Sequence, residues 1–284
     1  MPVPHTHQIP HEQTETEYYF WSEAEKELRA VLLATTRGMR PWFSEQEANA
    51  DEAANRLDPA TRYGDEGYST FMDNVGIFWD QYWEHIAAFV IKEAFKHYEV
   101  FLESSAQRIL RSYRSGLVKS GTDDSWNFQD CKQFYTEYLQ IDVLPKPIAN
   151  IKWIRDKLSH LDKLRSAEGK KQLKDQLEEL GLNTPPTQDE QAMDLYHDDW
   201  SQSYGRDLAF TPVQTWRVLQ LLRAHVNALA PEFHEFSWPR QSKRTTQQLL
   251  DLLQGKAVNP RVSNKKRGDS GYLKIPAPVA PAYC

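Results

Sequence analysis

The sequence predicts an all-α protein: a helical bundle with a long central helix and flexible termini. Three observations predict it. Apolar residues recur at three- and four-residue spacing along most of the chain. From Ile77 to Ser115 neither Gly nor Pro interrupts that pattern. No pair of alternating runs is joined by the turn chemistry a hairpin needs, and no repeat of some 20–50 residues appears.

The elements follow in order. Residues 1–13 are rich in Pro and His and read as a disordered tail. A helix is expected from Thr14 to about Arg37, with Tyr18, Trp21, Leu28, Val31 and Leu32 on its apolar side and Gly38 and Pro41 ending it. The acidic, alanine-rich SEQEANADEAANRL reads as a short surface helix, and DPATRYGDEGYS as loop. The Ile77–Ser115 segment is one long helix, or two joined at a kink. A helix over Trp126–Ile141 stops at LPKP, and another starts at Ile148. SAEGKKQLKDQLEELG forms a helix ending at Gly181, with TPPTQDE as a linker after it. Thr211 caps a helix whose first residue is Pro212 and which runs to Ala230. QSKRTTQQLLDLLQG is the last helix. Residues 256–284 are basic, then Pro- and Ala-rich, and read as a flexible tail. One all-α domain over 14–255 is therefore expected, with its core at about 77–230.

Bulk properties narrow the function. A net charge of -6 argues against a chain that binds nucleic acid over its whole surface, while leaving room for a local basic patch. Cys131 and Cys284 give no disulfide framework. No run of about 18 apolar residues occurs, and the opening residues lack the pattern of a secretory leader. The expected location is cytoplasmic. The tail residues Arg261, Lys265, Lys266 and Arg267 leave a nuclear one open. No phosphate-cradling Gly-rich loop, Gly-x-Ser-x-Gly elbow or zinc ribbon is present, and no cofactor is expected.

The stretch carrying chemistry is IKWIRDKLSHLDKL, residues 151–164. At about 100° per residue, Ile151, Ile154, Leu158 and Leu161 fall on one side and face a core. Arg155, Asp156, Ser159 and His160 share an opposite arc of roughly 140° that is left to meet solvent, ligand or another subunit. Histidine moves protons near neutral pH. Arginine holds a phosphate through a forked pair of hydrogen bonds. An adjacent aspartate can orient either. Together they can activate a ribose 2′-hydroxyl against the neighbouring phosphate without a metal. The bland alternative is a solvated helix face with exposed ion pairs of little weight.

RDKLSH, at 155–160, resembles the Arg–polar–x3–His motif of HEPN domains, with Asp156 where Asn is commonest. AFKHYEVFLESSAQRIL also looks like that family's second core helix, and Glu99 matches its inner-face Glu. The resemblance covers about residues 77–165, extending at most to 230. One departure is that Leu161 and Leu164 continue the helix where many members turn polar or glycine-rich. The resemblance implies an all-α bundle that dimerises so that two motifs form one composite, metal-independent ribonuclease site. Arg155 would hold phosphate, His160 act as general acid or base, and Asp156 orient them, with Glu99 and Ser159 in support. RNA, a second copy of the chain, and an antitoxin or regulatory protein are the implied partners. A toxin or host-defence role is implied with them.

Around the motif, residues 152–174 hold Lys152, Arg155, Lys157, Lys163, Arg165, Lys170, Lys171 and Lys174 against Asp156, Asp162 and Glu168. Lys152, Lys157 and Lys163 are the candidate RNA contacts. His5, His7 and His11 resemble a metal tract in composition only, and no metal site is expected. His197, Asp198 and Asp199 read as loop or cap. His85 and His97 read as core or interface histidines. The aromatic residues of 78–101 nearly encircle their helix, which indicates burial on several sides or a dimer contact; a base-stacking platform is the sharper alternative. Besides the ribonuclease, two readings stay open: a non-catalytic helical module that binds RNA or a protein, and a structural protein in which RDKLSH is chance.

Overall fold

The computed structural model describes residues 16–57, 66–77, 79–112, 118–119, 127–159, 166–193, 195, 210–237 and 273–274. Helix dominates them, as expected. The elements are α1 (Thr16–Ala34), α2 (Arg40–Asn55), α3 (Glu66–Val75), α4 (Trp79–Ser112), β1 (Val118–Lys119), α5 (Phe128–Gln133), α6 (Lys146–Leu158), α7 (Ala167–Glu179), α8 (Gln188–Ala192), α9 (Pro212–Ser237) and β2 (Leu273–Lys274). The one extended pairing among the described residues is antiparallel, with Val118 opposite Lys274 and Lys119 opposite Leu273.

The long central helix is α4, 34 residues without a break. Its neighbours correct the sequence reading in several places. Gly38 and Pro41 do not end the first helix. A π-helical turn over Thr35–Met39 carries α1 into α2, and Thr36 Oγ1 donates to the Leu32 and Leu33 carbonyls at 3.2 and 3.1 Å. Pro41 then sits in the opening positions of α2, directly after the π-helical turn. The alanine-rich segment is a surface helix, as expected, with most of its residues exposed and one narrow stripe turned inward. Ala50 and Ala54 are buried, because small side chains let α3 pack closely. α3 itself begins at Glu66, inside the segment read as loop, and is anchored by buried Phe71 against Phe43.

α9 does not stop at Ala230 but continues through Pro231 to Ser237. Phe233 and Phe236, beyond the proline, are buried. Phe233 stacks on Tyr135 and Phe101 at centroid distances of 4.4 and 5.5 Å. Burying two aromatic rings offsets the roughly 3 kcal/mol a mid-helix proline costs. Residues 241–255, the expected last helix, lie outside the described residues, as do residues 1–13.

Contacts divide the chain into two compact units. One takes the chain up to Ala24, Lys96–Ile148 and the chain from Leu222; the other takes Glu25–Phe95 and Ala149–Leu221. The helices α1, α4, α6 and α9 each pass from one unit into the other. The core of the first contains Tyr98, Leu102, Ile109, Phe134, Tyr135, Val143, Leu222 and Phe233. The second contains a cluster of Phe43, Ala50 and Phe71 with Met39, Met72, Val75, Ile77 and Tyr82 against it, and a set including Trp83, Ile91, Phe95, Ile151, Ile154 and Trp216.

Candidate functional site

α6 places the motif. Ile151, Ile154 and Leu158 are buried, as the periodicity requires. Opposite them, Lys152 Nζ donates to Asp156 Oδ2 at 2.7 Å, and Arg155 Nη1 donates to Asp156 Oδ1 at 2.9 Å. One carboxylate thus holds two cations through its two oxygens. Arg155 and Lys157 lie in the last turn of α6, where positive charge complements the carbonyl end of the helix. Ser159 follows the helix, with Oγ at 3.4 Å from the Arg155 carbonyl.

Arg155 is only partly exposed. Its guanidinium carbon stands 4.9 Å from the centre of the Phe95 ring of α4, and its side chain is 24% exposed. Phe95 is fully buried. The arginine is therefore shelved on an aromatic face and tethered by a carboxylate, with a remnant of its surface open. Lys157 stands over Trp153 at 5.4 Å. Lys152 is tied to Asp156.

His160 and Lys163 lie outside the described residues, so the structure brings together only Arg155, Asp156, Ser159, Lys152 and Lys157 of the predicted set. Glu99 belongs to the other unit, where its charge helps to raise the pKa of buried Cys131 above the ordinary thiol value, mainly an effect of burial. His5, His7, His11 and residues 197–199 also lie outside the described residues. His85 is exposed rather than part of a core, and His97 is half-buried beside an apolar groove of about 230 Å³ lined by Phe20, Trp21, Val100 and Phe101. Phe89, within the aromatic stripe, is 48% exposed. Among the described residues, no group of three or more His, Cys, Asp or Glu is placed to hold a metal ion, and no helix is long and apolar enough to cross a membrane.

Three polar arrangements escaped the sequence reading. Tyr98 donates to the Val143 carbonyl at 2.5 Å and meets His225 Nε2 at 3.1 Å. Burial lowers the His225 pKa, with the Val143 carbonyl and the Asp142 charge opposing it. Arg29 pairs with Glu25, both almost wholly buried, and lies 4.3 Å over Trp216. Arg217 pairs with Glu190 at 2.7 Å. Only Glu25–Arg29 left a local trace, an i,i+4 pair; the other partners are dozens of residues apart. No model of a known protein family matches the chain, and neither does any curated protein or solved structure.

Proposed function

We propose that the chain is a metal-independent endoribonuclease of HEPN type, working as a homodimer in a toxin or defence setting under an antitoxin or regulatory protein. The observation that carries this reading is the preset Arg155: ring beneath it, carboxylate beside it, five positions before His160 on the same short stretch. A positioned guanidinium binds a phosphodiester as a fork and stabilises charge that develops on it. In the reaction, a ribose 2′-oxygen forms a bond to the adjacent phosphorus while the bond to the 5′-oxygen breaks. A His160 takes the 2′-hydroxyl proton, and a second His160, from the facing copy, protonates the departing 5′-oxygen. The products carry a 2′,3′-cyclic phosphate and a 5′-hydroxyl.

The test is cleavage of a mixed RNA pool in excess EDTA, with end-group analysis. Wild-type protein should yield cyclic phosphate ends. His160→Ala and Arg155→Ala should each lose about 10²-fold or more in rate, the scale of one acid–base group or one charge-stabilising donor. Cleavage unchanged in both variants would rule this site out. The groove beside Phe20 and Val100, which are 65% and 50% exposed, favours a second reading, a helical module that engages a protein partner. Absence of cleavage on any RNA would favour that one.

A further inference from the structure

We infer that His225 is an acid-released latch: its neutral ring holds residues 140–145 to α4 and α9 through the Val143 carbonyl, and uptake of a proton at Nδ1 frees that segment. All of these residues lie within the first unit. The segment needs such a tie. It leaves a π-helical turn, Phe134–Leu139, at Gln140, whose φ of 59° lies in the left-handed region that residues with a Cβ enter at a cost. Its local hydrogen bonds run from the Ile141 N–H to the Tyr135 carbonyl at 3.0 Å and from the Leu144 N–H to Asp142 Oδ1 at 2.9 Å. The link to distant helices is the carbonyl of buried Val143, on which Tyr98 of α4 and His225 of α9 converge. The segment then runs directly into α6 at Lys146.

Proton bookkeeping assigns the ring's state. A tyrosine hydroxyl has one proton, and a carbonyl can only accept. The 2.5 Å contact with the Val143 carbonyl therefore takes the Tyr98 proton. The Tyr98 oxygen then meets His225 Nε2, 3.1 Å away, as an acceptor. Nε2 must carry the proton of the neutral ring, and it stands 3.4 Å from the Val143 carbonyl as well. Nδ1 is left as the basic nitrogen.

A second proton, at Nδ1, makes a cation of a half-buried ring. Burial lowers the His225 pKa, and the Val143 carbonyl and the Asp142 charge only partly oppose it. The surroundings hold no other titratable group aimed at the ring. α4 presents Tyr98, and Cys131 of α5 acts on Tyr98 rather than on His225. Tyr18 of α1 bonds Asn227 instead. On α9 itself Arg223 is two residues away, about 200° round the helix. The charged ring is thus better placed in water than in the latch. The contact is at full strength above the ordinary 6.5 and is lost as pH falls through the lower folded value.

Two measurements on the full chain test this. In protein carrying ¹⁵N-labelled histidine, long-range ¹H–¹⁵N spectra at about pH 7.5 should place the His225 proton on Nε2, and the ring should titrate below 6.5. A proton on Nδ1 instead, or titration at or above 6.5, would overturn the inference whatever any variant does. The second measurement is amide hydrogen exchange, corrected for the intrinsic effect of pH. Protection of a peptide covering 140–145 should fall by up to about tenfold for each pH unit below 6.5, the limit for one proton, while residues 101–109 of α4 keep theirs. His225→Gln still donates an N–H but takes up no proton, and should show the same protection at about pH 7.5 and pH 5.5. Unchanged protection in wild type, an equal acid loss in His225→Gln, or a loss shared by the whole unit would each overturn the latch.

Discussion

Arg217 of α9 shows how much a single buried side chain holds in place. Its Nε and Nη2 donate to the two oxygens of Glu190 at 2.8 and 2.7 Å. Nη1 donates to the Thr184 carbonyl and hydroxyl at 2.8 and 2.7 Å, and Nη2 also to the Pro185 carbonyl at 2.9 Å. The segment that the sequence presents as a linker is thus pinned by backbone carbonyls to one guanidinium, and Thr187 with Glu190 closes it with a capping box. The side chains of Arg217 and Glu190 are 11% and 6% exposed. Arg217→Met would take from the buried Glu190 carboxylate its charged partner, leaving it the Thr187 N–H, and would take a donor from several carbonyls, and should cost about 3–5 kcal/mol in urea unfolding. Burial works against ionisation of Glu190, but hydrogen bonds from Arg217 and the Thr187 N–H outweigh it, so the carboxyl is held below its ordinary 4.5. A depressed carboxyl pKa stabilises the fold above the unfolded value, and that contribution is lost as pH falls through the folded value. The gap in Tm between wild type and Glu190→Gln should therefore be full at neutral pH and narrow below about pH 4.5. A gap independent of pH would show that the ionised pair is not what stabilises this segment.

Helices were legible where their apolar period is long, and their ends where a cap chemistry is local. Gly181, with φ of 68°, ends α7 where the sequence places the stop. Gly38 and Pro41 carry the same stop signal, yet the chain stays helical, because buried Thr35 and Thr36 and the burial of Phe43 downstream reward continuation. Pro231 is overridden for the same reason by Phe233. Tertiary burial, invisible to a local window, decides between the two outcomes. The two glycines therefore respond oppositely to one substitution. A Cβ added at either meets nothing within 4 Å, so sterics with neighbours do not enter. Gly38 has no positive φ, and Gly38→Ala should stabilise the protein by about 0.4–1 kcal/mol by restricting the unfolded chain. Gly181→Ala places a side chain in the left-handed region and should destabilise by about 1–2 kcal/mol. Thermal unfolding of the pair checks this; destabilisation by both would mean that the π-helical turn needs glycine for its own backbone.

At the scale of the whole molecule, the local part of the candidate site could be read and the rest could not. Arg155, Asp156 and Lys152 fall within five residues, so helical periodicity gathers them. Phe95 precedes Arg155 by sixty positions, and nothing in the aromatic pattern marks which ring will lie beneath the arginine. For the same reason the local pattern does not show that the contacts form two units, each built from separated stretches. Four helices cross between those units. α4 contributes Trp79–Phe95 to one and Lys96–Ser112 to the other. Unfolding either unit would require α4 to end at its middle, with new unpaired N–H and C=O groups and without the packing that gives helices their stability. The chain should therefore unfold in one cooperative step, with far-ultraviolet circular dichroism and tryptophan fluorescence giving the same midpoint in urea. Tyr98→Phe removes the hydroxyl that bonds Val143 in one unit and should cost about 1–2 kcal/mol. Arg217→Met perturbs the other unit. Each should move both probes together, although Trp21 reports from the first unit and Trp83 and Trp216 from the second. Separate midpoints, or a variant that shifts one probe alone, would show that the crossing helices break and that the two units unfold independently.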